Sequence, residues 1–335
     1  AGALYAGGLV IANVMPGVGL WGAVAILALV AGLYTILGGL EAVVVTDTVQ
    51  AVLLVIGAGA IFVFGVHAVG GWSAMTDKLS ADQMSLVKPA SDDFLPWPGL
   101  LGVLLLGFYY WTLNQFVVQR TLGARNLDEG RKGALLAGLL KLPNLFIMIL
   151  PGVFGLLLVP GLENPDLVFP TLAAELLPVG FRGLILTALI AAIMSSLDSA
   201  LNAASTLVSV DFVKEMYPEI GDNALVTVGR GFTAFAMVVG AVYAPAIRSF
   251  ENLFEYFQSV LSYVTPPIVA VFLVGLFWKR ANRHGGFWTI VAGLVVGVPL
   301  FLGKEVFGVW TALGLPQLHF TYMAVLMFVF GTGVL

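Results

Sequence analysis

The sequence predicts an all-α, polytopic membrane protein, and three observations carry that prediction. Only 10% of the 335 residues are charged and 59% are hydrophobic, against roughly 25% charged in soluble domains. Mean hydropathy is +1.00. Apolar runs of about 20 residues recur, each long enough to cross about 30 Å of hydrocarbon as a helix. Membrane-barrel strands are shorter and alternate in polarity, so a barrel does not fit.

Gly and Pro punctuate these runs into ten expected segments, at about 1–15, 18–37, 40–70, 98–119, 133–159, 181–210, 225–246, 252–278, 286–303 and 318–335. The first is partial, because the chain opens inside an apolar run without an initiator Met. The last stops as abruptly, and both ends are expected to be truncated. Gly38-Gly39 parts the second segment from the third. The fourth begins after Pro96-Trp-Pro98, which closes the longest loop, about 71–97. The fifth follows the charged stretch 120–132, and the sixth follows Pro178-Val-Gly180. Pro266-Pro267 should kink or break the eighth, since two prolines remove two backbone donors. The chain is expected to be a single transmembrane domain over 1–335 with no soluble module. It has no cysteine, which excludes disulfides and thiolate metal sites.

Alternating sides through the segments places Arg120, Arg125, Arg131, Lys132, Lys214, Arg230, Lys279, Arg280 and Arg283 on one face. Lys78, Lys88, Arg182, Arg248 and Lys304 fall on the other, and Lys141 stays within a span. By the positive-inside rule the first face is cytoplasmic, with the acidic turns at Asp92–Asp93 and Glu163–Asp166 outside. The net charge of −4 says little beside that asymmetry.

Polar groups inside the apolar runs are the candidate site. Ser195, Asp198, Ser199 and Asn202 lie at i, i+3, i+4 and i+7, one face of a helix. Helix packing explains serines; it does not call for a carboxylate, which costs about 2.5–3.5 kcal/mol at a bilayer centre even on the gentlest scale. Hydroxyl and carboxylate oxygens suit a small hard cation, which points to ion-coupled transport. Asp47 supplies a second carboxylate if its helix meets this one; otherwise it is wetted from the cytoplasmic end. Lys141 either snorkels to the interface or donates to a polar solute. Tyr109-Tyr-Trp111 lies mid-span, about a dozen residues past the outer interface, where an aromatic can lie flat on a solute; Gly102 and Gly107 make an unwound midpoint plausible there. Glu255, Gln258, Ser259 and Ser262 repeat the i, i+3, i+4, i+7 pattern, with Gln258 above all expected to line a cavity.

Several of these strings carry a resemblance. Leu37-Gly-Gly-Leu-Glu-Ala-Val-Val-Val-Thr-Asp-Thr-Val-Gln50, Tyr109-Tyr-Trp with Asn114-Gln-Phe-Val-Val-Gln-Arg120, and Ser195-Ser-Leu-Asp-Ser-Ala-Leu-Asn202 resemble the sodium:solute symporter family. Leu95-Pro-Trp-Pro-Gly99 and the segment from Phe257 through Pro266-Pro to Arg280 resemble its sodium/glucose cotransporter branch. The resemblance implies a LeuT-type inverted-repeat bundle. About 1–70 would be the end of the first repeat, about 95–278 the second, and about 286–335 additional helices.

The resemblance also implies roles. The Ala192 carbonyl with Ser195 and Ser196 would form part of a first sodium site, and Asp47, Asp198 and Ser199 a second. Asp198 stands where several relatives carry a hydroxyl, so it either strengthens the second cation site or makes it proton-linked; the former is preferred. Lys141, Gln258, Tyr110, Trp111 and Phe254 would bind a sugar, expected to be a hexose. Gly107 replaces a group that contacts sugar in relatives. The implied function is inward sodium flow driving sugar uptake by alternating access, in a multi-pass protein expected in the plasma (inner) membrane. A symporter for inositol, a carboxylate or an amino acid, or a sugar-gated channel on the same scaffold, are the alternatives. An enzyme is not expected: Asp47 and Asp198 lack a Gly-x-Gly-Asp context for an aspartyl protease, and His67, His284 and His319 lie near span ends. No nucleic-acid partner is expected.

Overall fold

The fold comes from a computed structural model describing all residues except Pro16, Leu86 and Asp93, and leaving out the side chains of Tyr34 and 37–43. Half of the Leu37–Gln50 string therefore lies outside the described side chains. Thirteen helices recur below: α1 Gly2–Val14, α2 Leu20–Val69, α3 Leu100–Phe108, α4 Gln115–Leu122, α5 Leu127–Leu139, α6 Leu150–Leu158, α7 Val168–Leu176, α8 Val179–Thr206, α9 Asp222–Tyr243, α10 Leu253–Val264, α11 Pro266–Phe277, α12 Arg283–Phe301 and α13 Phe320–Val334.

Beside an apolar core, many large apolar side chains lie on the outside while several polar ones lie within. Leu29, Val45, Phe235 and Leu276 are exposed, whereas Thr35, Gln119, Asp198, Ser199, Ser259, Ser262, Thr289 and Thr321 are buried. Apolar side chains outside and hydroxyls inside suit a bundle bathed in lipid, where helices associate through close packing and interhelical hydrogen bonds rather than water exclusion. Among the described residues, five helical stretches are long and apolar enough to span, including Trp97–Leu122, Val179–Lys214 and Arg283–Val306. The protein is an integral multi-pass membrane protein.

The chain forms two compact units: Ala1–Ser80 with Gln119–Leu253, and Ala81–Val118 with Phe254–Leu335. In the first, helical assignment is unbroken over the 50 residues of α2, where two segments were expected. Straight, it would be about 75 Å long, more than twice the hydrocarbon thickness. Its contacts exclude that. Leu27 and Ile193 both crowd Gly7, and Thr35 pairs with Asp198, so Leu20–Leu33 runs parallel to α8. Asp47 pairs with Ser195 and Gly57 packs on Ile185, so Val44–Val69 runs antiparallel to it. Leu27 and Asp47 would be about 30 Å apart on a straight helix, yet they meet α8 at positions two residues apart. The direction reverses between Thr35 and Asp47, where Gly38-Gly39 predicted a break.

Farther along, Gly65 lets the Phe154 ring approach the α2 backbone. Phe154 is fully buried with Ile61, Met75, Leu150, Leu172 and Ile185, tying α6 and α7 to α2 and α8. The expected segment 133–159 is interrupted: α5 ends at Leu139, residues 140–143 form a turn, and a π-turn at Leu145–Ile149 leads into α6.

In the second unit, α10 and α11 bend by 52° at the predicted Pro266-Pro267 break. Helix α13 packs on α3, α11 and α12. Gly102 sits directly on the Thr321 carbonyl, and Gly297 on that of Tyr263; a side chain at either position would meet backbone.

Candidate oxygen-rich site and its surroundings

Helix α8 presents a half-buried Ser195 and a buried Asp198 and Ser199 on one face, as the spacing predicts. Asp198 is 2% exposed, and Thr35 donates to its Oδ1 at 2.5 Å. Thr35 Oγ1 also lies 2.8 Å from the Ala31 carbonyl. Asp47 does meet this helix: its Oδ1 accepts from Ser195, and its Oδ2 pairs with Arg120. Arg120 also donates to Ser199 Oγ, which in turn donates to the Ser195 carbonyl at 2.7 Å. Gln119 Nε2 reaches the Ser199 carbonyl at 3.3 Å.

These contacts form one network through α2, α4 and α8. At its centre the guanidinium of Arg120, a cation supplied by the chain itself, meets the Asp47 carboxylate and the Ser199 hydroxyl, while Asp198 pairs with Thr35 alongside. The sheltered Asp47 carboxylate calls for such a partner, because isolated charges are costly in low dielectric. Sequence analysis treated Arg120 as an interfacial charge and did not single out Thr35 or Gln119. The available signal was Asp47: a carboxylate in an apolar helix calls for a cation, and Arg120 is one of few basic residues at a span end.

Ser196 points elsewhere. It is exposed, and its hydroxyl donates to the Ala192 carbonyl at 3.2 Å. The oxygens assigned to a first sodium site thus divide between two faces of α8: Ser195 in the network, and Ser196 with the Ala192 carbonyl outside it. Hydroxyl, carbonyl and carboxylate oxygens are the donors a hard alkali cation takes.

Among the solute-site residues, Lys141 belongs to the first unit, exposed in the 140–143 turn where a continuous helix was expected. The others belong to the second unit. Tyr110 and Trp111 lie in a π-turn, Tyr109–Leu113, ended by extended backbone at Asn114. This is the unwound midpoint, a few residues beyond Gly107. Tyr110 packs edge-on against Trp111 and Phe116, with centroids 4.8 and 5.9 Å apart. A side chain at Gly107 would meet nothing within 4 Å. Phe254 is half exposed and packs on Phe94, centroids 5.5 Å apart.

Helix α10 departs from expectation. Its polar face does line a cavity within the second unit, but through Glu255 and Ser259. Gln258, about 100° round the helix from Ser259, is not among the lining residues, and Ser262 is fully buried, donating to the Ser259 carbonyl at 2.7 Å.

Comparison with known proteins adds the rest. The model of the sodium:solute symporter family matches residues 1–293. Rabbit sodium/glucose cotransporter 1 is 34% identical, over 93% of this chain and 55% of its own. Human sodium/myo-inositol cotransporter 2 is 35% identical, over 88% and 49%. The chain spans about half the length of the curated relatives it matches. These relatives are transporters by name, not enzymes. Among solved structures, an outward-open, substrate-bound Na+-coupled sialic acid symporter superposes with a TM-score of 0.75 at 23% identity, covering 99% of this chain and 68% of that one. That likeness is one of fold, the LeuT-type arrangement the motifs implied.

Proposed function

Because the chain belongs to the sodium:solute symporter family, we propose that it forms part of a transporter coupling inward sodium flow to uptake of a sugar or related polyol by alternating access. The observation that supports this best is the network of carboxylates and hydroxyls on α8 and α2, buried in a chain otherwise apolar.

In this reading sodium is cargo, held first by the Ala192 carbonyl with the Ser195 and Ser196 hydroxyls. A second sodium would sit among Asp47, Asp198 and Ser199, and would have to displace the Arg120 guanidinium from Asp47 and Ser199. Lys141 and Gln258 would hydrogen-bond solute hydroxyls, Tyr110 and Trp111 would cover the solute, and Phe254 would cap it. Each ligand favours one conformation only to the extent that it binds that conformation better; a tenfold coupling needs about 1.4 kcal/mol.

Uptake of labelled D-glucose and myo-inositol into proteoliposomes, with and without an inward sodium gradient, tests the reading. Gradient-dependent accumulation is expected. Accumulation indifferent to sodium contradicts it, and sugar-evoked sodium current without accumulation would instead indicate a channel. Myo-inositol is a specific second candidate, because inositol cotransporters stand among the relatives at 35–36% identity. Competition between the two solutes decides which is preferred. The plasma (inner) membrane is the compartment where this function would operate.

A further inference from the structure

The second unit contains a cavity of about 460 Å³ that the transport reading leaves unused. Its walls come from 90–92 and Pro96, from Glu255 and Ser259 on α10, from Lys304 and Glu305 in the π-turn Leu302–Val306, and from 317–320 and Tyr322. Lys304 is only 8% exposed and pairs with Glu305 Oε1 at 2.6 Å. Tyr263 donates to that same oxygen at 2.7 Å. An ammonium has three hydrogens and a carboxylate two oxygens, so this buried pair retains donors and an acceptor beyond its own contacts. Ser259 is 3% exposed and lines the cavity. A hydroxyl can both donate and accept, so Ser259 adds a two-way hydrogen-bonding group to the cavity wall.

We propose that this cavity binds a small uncharged polyol at a second site, between the Lys304–Glu305 pair and the Ser259 hydroxyl. Donors and acceptors alternate around it, as vicinal hydroxyls require, and Phe320, Tyr322 and the His319 ring supply faces for the C–H side of a ring. The volume admits a hexose-sized molecule with several waters. Among the described residues no group of three acidic, His or Cys side chains is arranged to hold a metal ion, and Lys304 offsets one of the three nearby acids, so a polyol fits better than a bare cation.

The test is equilibrium dialysis of tritiated D-glucose and myo-inositol against the purified chain in nanodiscs, with choline replacing sodium. A saturable component is expected, at least tenfold weaker in Ser259→Leu, which fills the cavity, and intact in Gln258→Ala. If Ser259→Leu elutes as aggregate, Gln317→Trp plugs the exposed rim without touching buried packing and should weaken binding equally. Absence of saturable binding in choline, or binding unchanged when the cavity is blocked, overturns the proposal. Failure of the transport reading would show separately, as loss of the sodium-dependent component alone.

Discussion

Asp47→Asn keeps the size of the side chain and its acceptor for Ser195, but removes the charge that Arg120 faces. Unit charges about 4 Å apart attract by about 4 kcal/mol at an effective dielectric of 20. Arg120 and Asp47 side chains retain 31% and 16% exposure, and desolvation opposes the attraction, leaving a net coupling of about 1–2 kcal/mol. The single variant should cost more, about 2–3 kcal/mol, because the half-buried Arg120 then loses the Asp47 countercharge. A double-mutant cycle with Arg120→Met, read from reversible unfolding in mixed SDS micelles, isolates the coupling. It should persist in 1 M salt, since groups this sheltered are screened far less than surface charges. Additive single effects, within about 0.3–0.5 kcal/mol, would refute the argument that Arg120 holds these oxygens together.

Ser196→Ala should abolish sodium-driven uptake while changing stability by less than about 0.5 kcal/mol, because its hydroxyl is exposed and bonds only its own helix; normal uptake would remove Ser196 from the sodium site. Gly102→Val should destabilise the second unit by at least about 1–3 kcal/mol by driving a side chain into the Thr321 carbonyl, seen as a lowered unfolding midpoint. Asp166, in the loop before α7, accepts the Leu253 amide with both oxygens, at 3.1 and 3.0 Å. Burial pushes its carboxyl above the usual range, with that amide opposing. The folded state therefore keeps the proton to higher pH than the unfolded chain, and stability falls as pH rises between the two titration points. Asp166→Asn should flatten that decline in a pH series of unfolding midpoints.

The sequence alone determined the class of the fold, because the need to satisfy backbone groups in hydrocarbon leaves apolar runs of this length no alternative to helices. It determined equally that Ser195, Asp198 and Ser199 share a face, and that Pro266-Pro267 breaks a span, since both follow from local geometry. Its motifs also carried the family, through strings spread over most of the chain. What it left open were meetings between distant segments. Whether Asp47 faced α8 or water depended on where α2 turns back, which no local pattern states. The choice of Arg120 over eight other cytoplasmic-side cations, the pairing of Thr35 with Asp198, and the turning of Ser259 rather than Gln258 toward a cavity were decided by tertiary packing. Periodicity assigns a side chain to a face of its own helix; only the neighbouring helix determines what that face meets.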